Sequence, residues 1–171
     1  SESGEDVCRI RQITKTLLIE LEKQVGNKWY AHEEIENISA ASTMHDVGKI
    51  SVPDYILNKP GKLTAEEFEI MKEHTVNGCK ILDSIDMIKC SPMYKYYYDI
   101  CRSHHERWDG RGYPDGLVGD MIPISAQIVS VADVYDALTS KRVYKPPYSH
   151  EKAVDMILNG ECGKFNPDII E

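Results

Sequence analysis

What the chain lacks narrows its class before any motif is read. No apolar run approaches the ~18 residues that a membrane-spanning helix needs, and no signal-peptide pattern opens the sequence. No CxxC pair occurs among Cys8, Cys79, Cys90, Cys101 and Cys162, and their odd number argues against a closed disulfide framework. Free thiols in a reducing compartment are the expectation, and with them a cytoplasmic location. A basic stripe is also missing. Against 28 Asp and Glu stand only 20 Lys and Arg, a formal charge of -8, which argues against DNA or RNA as partner. Such a protein can still bind an anion where metal ions and a few local bases make one site positive. There is no internal repeat, no low-complexity tract and no convincing hairpin pair, although the loop after Trp108 has room for a short one.

What is present fits one globular domain over residues 1–171, long enough to bury a core, with 42% hydrophobic side chains. Ser1 stands where an initiator Met would, so a piece of a longer protein is expected. Val7, Ile10, Ile13, Leu17, Leu21 and Val25 repeat with helical period until Gly26-Asn27. A second stretch carries Ile35, Ile38, Ala41 and Met44, and Gly48 reads as its terminator, which puts His45 and Asp46 in its last turn. Residues 50–61 read as an ordered loop with Pro53, Pro60 and Gly61. Thr64-Ala65-Glu66-Glu67 has the form of a capping box opening a helix whose face runs Ile70, His74, Gly78, Ile81. Ser91-Pro92 opens another helix, which ends at His104-His105; Pro123 opens the next, and Ser149 caps a last one that stops at Gly160. The expected fold is all-α, a bundle of about six to seven helices.

Six side chains stand apart. His45, Asp46, His74, His104, His105 and Asp133 come from four separate helices and fall at inward or terminal positions; His32 and His150 have no such context. Asp133 lies in the apolar run Val129-Ser130-Val131-Ala132-Asp133-Val134, where a carboxylate must be paired, hydrogen-bonded or metal-bound to offset its desolvation. Alone, each histidine would be read as a satisfied core residue. As a set without thiolate they suit iron, manganese or zinc. A central aspartate can bridge two ions, and two metals ~3.5–4 Å apart serve in-line displacement at phosphorus. Phosphoester hydrolysis is the reaction class that follows.

The motifs resemble the HD-GYP family, a subclass of HD-superfamily metal-dependent phosphohydrolases. His45-Asp46-Val47-Gly48-Lys49 matches its HD-x-GK signature, and Lys59 to Thr64 its KPGKLT segment. His104-His105-Glu106 with Trp108-Asp109-Gly110 and Gly112-Tyr113-Pro114 matches HHExxDGxGYP, and Ala132 to Lys145 matches ADVYDALTSxRxYK. The resemblance implies an HD-domain fold with a metal centre in its core. It implies a phosphodiesterase that opens cyclic di-GMP to linear pGpG, and onward to GMP as an open step, by attack of a metal-bridging hydroxide. His45, Asp46, His74, His104, His105 and Asp133 would hold a di-iron or di-manganese centre, with Asp46 as the bridge. Lys49 would sit at the scissile phosphate, with Arg142 and Lys145 on the substrate phosphates. Arg111 and Lys59 are read as solvated. The Gly112-Tyr113-Pro114 loop is tied to substrate fit and to protein partners, diguanylate cyclase domains among them. Some members bind a third metal through a Glu and a His on the first helix; Glu2 and Asp6 hold those places here, and helix-dipole acids are the competing account. Such domains follow a receiver or sensor domain in bacterial signal transduction, as in a response regulator, and a homodimer is left open. The alternatives are a silent cyclic-dinucleotide sensor and a general HD nucleotide phosphohydrolase.

Overall fold

The computed structural model describes residues 3–142 and 145–171. Its architecture is arranged around α8 (Ile124–Thr139), in which Ala126, Ile128, Val129, Val131 and Ala132 are all buried. A helix apolar on nearly every side can only sit inside. Accordingly α1 (Gly4–Val25), α7 (Tyr94–Ser103) and α9 (His150–Leu158) pack on different sides of it. Leu18 and Leu21 of α1, Ile35 and Ile38 of α2 (Glu34–Ser42), and Ile100 of α7 complete the main core. A second cluster, Cys79, Leu82 and Cys101, joins α5 (His74–Asp83) to α7. The short α3 (Asp54–Leu57) and the longer α4 (Ala65–Lys72) precede α5, with α6 (Asp86–Lys89) after it; α10 (Pro167–Ile170) ends the chain. Among the described residues there is no strand, only isolated bridges such as Asp109↔Val118, which closes the loop after Trp108. Seven of these helices run to eight residues or more, in keeping with the expected all-α bundle.

The capping signals act where the sequence puts them. Thr64 and Glu67 exchange the reciprocal bonds of a capping box, Ser149 caps α9, and Gly26 ends α1 at φ 64°. At the first site segment the structure departs from expectation. α2 stops at Ser42, so His45 and Asp46 lie in the following turn, ahead of a 3-10 helix over Val47–Ser51. Gly48 is no helix terminator. A Cβ there would stand 1.8 Å from His74 O and 2.5 Å from Gly78 N, so glycine is present because two backbones touch. Gly78 answers it from α5, where a Cβ would fall 2.3 Å from Cys101 Sγ. The helix expected from Thr64 through Ile81 is also divided: it tightens at Glu73, and His74 heads α5. The segment read as a loop over residues 50–61 contains α3.

Replacing Gly48 with Ala forces one backbone off the other, an overpacking cost of about 1–3 kcal/mol or more. Gly4→Ala meets no atom within 4 Å and serves as the control. Urea unfolding is expected to show a clear drop in midpoint for the first variant and none for the second; equal midpoints would refute the close-approach account.

Candidate metal centre

The six ligands proposed from sequence converge. His45 follows the end of α2, His74 follows α4, and His104 follows α7, so each sits beside the carbonyls of a helix's last turn. Each imidazole uses one of them. Nδ1 of His45 donates to Ser42 O at 2.8 Å, that of His74 to Met71 O at 2.7 Å, and that of His104 to Ile100 O at 2.9 Å. A carbonyl only accepts, so the proton is on Nδ1 and, in the neutral ring, Nε2 offers a bare lone pair.

Those lone pairs are aimed at carboxylates. Nε2 of His74 and of His104 lie 3.3 and 3.4 Å from Asp46 Oδ1, and Nε2 of His45 lies 3.2 Å from Asp46 Oδ2 and 3.4 Å from Asp133 Oδ1. Asp46 Oδ1, His74 Nε2 and His104 Nε2 are buried and have no hydrogen-bond partner. Acceptors facing acceptors in a buried site repel unless a cation lies among them. Two donor sets result: Asp46, His74, His104 and His105 offer atoms all within 4.8 Å of one another, as do His45, His104 and Asp133. Asp46 touches both sets through different oxygens, the disposition that a bridging carboxylate needs. The arrangement fits metal, and its imidazole and carboxylate donors are those of a hydrolytic centre.

Electrostatics sorts the ligands. Burial pushes the His105 and His104 imidazoles down, with His104 adding to the effect on His105. His45 runs the other way: burial opposes charge, yet Asp46 and Asp133 outweigh it and raise the group well above its usual range. The Asp46 carboxyl is held well below its ordinary range, against burial, by His45, His104 and His74. Asp133 is depressed in the same way by His45.

Around the ligands, Lys49 in the 3-10 helix places Nζ 2.9 Å from Asp46 Oδ2. After α8, Arg142 and Lys145 exchange backbone hydrogen bonds of 3.2 and 3.3 Å, and Lys145 Nζ lies 4.1 Å from the Tyr148 ring centroid. Arg111 is solvated, as expected, whereas Lys59 is ion-paired with Glu67 at 2.6 Å. His32 and His150 pair with Glu22 and Tyr135, away from the centre. Of the two acids considered for a third metal, Glu2 lies outside the described residues. Asp6 closes the α1 capping box, accepting from the Ser3 amide at 2.6 Å, and pairs with Arg9.

Glu106 has a part that sequence reading missed. Its side chain is only 2% exposed, and it accepts the Asp115 amide at 2.7 Å and the Leu117 amide at 3.0 Å. Arg102 grips Asp115 from α7 with bonds of 2.8 and 2.9 Å. The loop between is thereby pressed onto the ligands. Gly112 passes so close that a Cβ would meet Arg107 N and His105 O at 2.4 Å. Tyr113, joined to Pro114 by a cis peptide, donates its amide to His105 O and stacks its ring on His105, with centroids 4.8 Å apart and planes at 16°. The one signal for Glu106 was an acid next to two ligands and just before a glycine-rich loop full of amides.

Glu106→Ala strips two part-buried amides of their charged acceptor, a loss of about 1 kcal/mol or more. Hydrogen exchange at Asp115 and Leu117 is expected to accelerate, and unchanged protection would refute the clamp. Because Asp46 and Asp133 raise His45 and so favour a second proton on its Nε2, which metal binding must displace, metal uptake should release a proton and tighten as pH rises. Calorimetry in buffers of different ionisation enthalpy measures that release; its absence near pH 7 would remove His45 from the ligand set.

Comparison with known proteins places these features. The family model described as HD domain matches residues 9–169. A cyclic di-GMP phosphodiesterase of Thermotoga maritima is 47% identical over 137 residues, which is 80% of this chain and 36% of that protein. A 3'3'-cGAMP-specific phosphodiesterase of Vibrio cholerae is 43% identical over 82% of this chain and 26% of its own length. The chain thus spans roughly a third or less of these relatives. An HDG"Y"P protein from Bdellovibrio bacteriovorus shares the fold at a TM-score of 0.69 and 20% identity, over 99% of this chain and 52% of that one. With the model matched along nearly its whole length and the HD and GYP motifs intact, this chain belongs to the HD domain family and carries the HD-GYP signature.

Proposed function

We propose that the chain is a metal-dependent phosphodiesterase that hydrolyses cyclic di-GMP to linear pGpG, with GMP as the product of a second cleavage. The observation that carries this reading is the pair of donor sets joined by Asp46, with a lysine ammonium 2.9 Å from the joining carboxylate. His45, Asp46, His74, His104, His105 and Asp133 would hold two metals, iron or manganese by donor type. When bound, such a pair neutralises phosphate charge and activates water. The remaining work falls to the chain. Asp46 spreads its two oxygens over both donor sets. Lys49 holds positive charge at their edge, where it can stabilise the phosphorane-like transition state or protonate the leaving 3' oxygen. Tyr113, stacked on His105, limits rotation of that ring. Arg142 and Lys145, paired through their backbones, are assigned to a substrate phosphate.

The names of the relatives support the substrate class, cyclic dinucleotides, and one is a cyclic di-GMP phosphodiesterase response regulator from Xanthomonas campestris. On the same reading the chain is an HD-GYP output module of a longer cytoplasmic regulatory protein. No helix of the described residues is long and apolar enough to cross a membrane.

Anaerobic incubation of iron- or manganese-loaded protein with cyclic di-GMP, with products separated and metal counted, tests the proposal. Linear dinucleotide or GMP at about two metals per chain is expected. Binding without product would favour a sensor. His105→Ala and Asp46→Ala should each lose turnover and metal; wild-type values for both in either variant would sink the assignment. Lys49→Ala should keep its metal and lose roughly 10²-fold in kcat, the usual scale for one electrostatic contact to a transition state.

A further inference from the structure

Beside the donor sets, on the side of the GYP loop, lies an arrangement that the ligand chemistry does not use. Tyr113, whose ring stacks on His105, meets Phe68 of α4 edge to face, at 5.9 Å between centroids and 87° between planes. Phe68 is 44% exposed, although a phenylalanine on a short surface helix would ordinarily turn inward. One turn further along α4, Lys72 holds its ammonium 5.3 Å from the Phe68 centroid and 5.7 Å from that of Tyr113. Glu69 steadies that ammonium at 2.6 Å. Two ring-to-ring steps therefore lead outward from a proposed metal-ligand histidine to an exposed aromatic surface with a cation over both of its rings.

We propose that Phe68, with Tyr113 and Lys72, forms a shelf on which a guanine base of the substrate lies while its phosphate reaches the His/Asp centre. This inference rests on the nucleotide phosphodiesterase reading above and narrows it to the base. An exposed aromatic gains from any base, because every base has a π-face. The choice among bases falls to Lys72. Guanine presents two adjacent acceptors, O6 and N7, to an ammonium, whereas adenine puts an amino donor beside its N7. The shelf thus favours guanine through charge and accepts purines in general through stacking. The Glu69 side of the ion pair is 70% exposed, so the pair itself gives little resistance to Lys72 turning toward a base.

Calorimetric titration of metal-loaded protein with GMP, AMP and inorganic phosphate separates these contributions. Phe68→Ala should weaken GMP binding about tenfold, on the scale of one lost base stack, and leave phosphate binding unchanged. Phe68→Trp should retain GMP affinity, and Lys72→Met should narrow the preference for GMP over AMP. Equal loss of GMP and phosphate in Phe68→Ala, or undiminished GMP binding, overturns the shelf. So does a wild-type protein that binds GMP no more tightly than phosphate. Should GMP bind through Phe68 while cyclic di-GMP is not turned over, the shelf stands and the phosphodiesterase reading falls. Turnover of cyclic di-GMP by Phe68→Ala with an unchanged KM removes the shelf and leaves that reading intact.

Discussion

Three imidazole nitrogens and one carboxylate, facing one another in the interior, set the terms for the rest of this structure. Left to themselves, Asp46 Oδ1 and the Nε2 lone pairs of His74 and His104 would move apart or find donors. They are held in place because each imidazole is committed, through Nδ1, to a carbonyl in the last turn of a helix. The helix ends thereby fix ring orientation and tautomer. That explains why the ligands gather at the ends of α2, α4 and α7 instead of along their faces. Asp133 is the exception, brought in from the middle of α8, the one helix buried on nearly every side.

This requirement extends to the packing. Bringing His45 and His74 to the same carboxylate forces the 3-10 helix that follows Asp46 against the first turns of α5. Gly48 and Gly78 are what two backbones at that separation permit. The same economy of space recurs at Gly112, where the loop crosses the His105 carbonyl. Glu106 and Arg102 then hold the far side of that loop, so that Tyr113 lies flat on a ligand ring. Arg107 adds a further tie, reaching Ser130 of α8 at 2.8 Å and the Cys162 carbonyl at 3.3 Å. A metal-site geometry is thus supported by a shell of local bonds, the general condition for holding ligands tightly enough to do chemistry.

Much of this was legible in the chain. Capping boxes, helical period and the apolar run around Asp133 are local properties, set by neighbours within one or two turns. The all-α class and the gathering of the six candidate side chains therefore followed from spacing and motif. Gly48 was misread for a physical reason: a glycine after a helix and a glycine under a passing backbone look the same in sequence. Glu106 was present in the motif without a role, since the amides it satisfies lie nine and eleven residues away. Asp6, read as a metal candidate from its place in α1, is engaged by Ser3 and Arg9.

By itself the sequence determined residue chemistry and local periodicity: which side chains can bind metal and where helices start. Only the tertiary structure decided which oxygen of Asp46 meets which histidine, that Phe68 comes to rest against Tyr113, and that Lys72 stands over both. Those outcomes depend on the angles at which α4, α5, α7 and α8 cross. Crossing angles are set by side chains and glycines distant in the chain, packing together in three dimensions, and no window of sequence contains them.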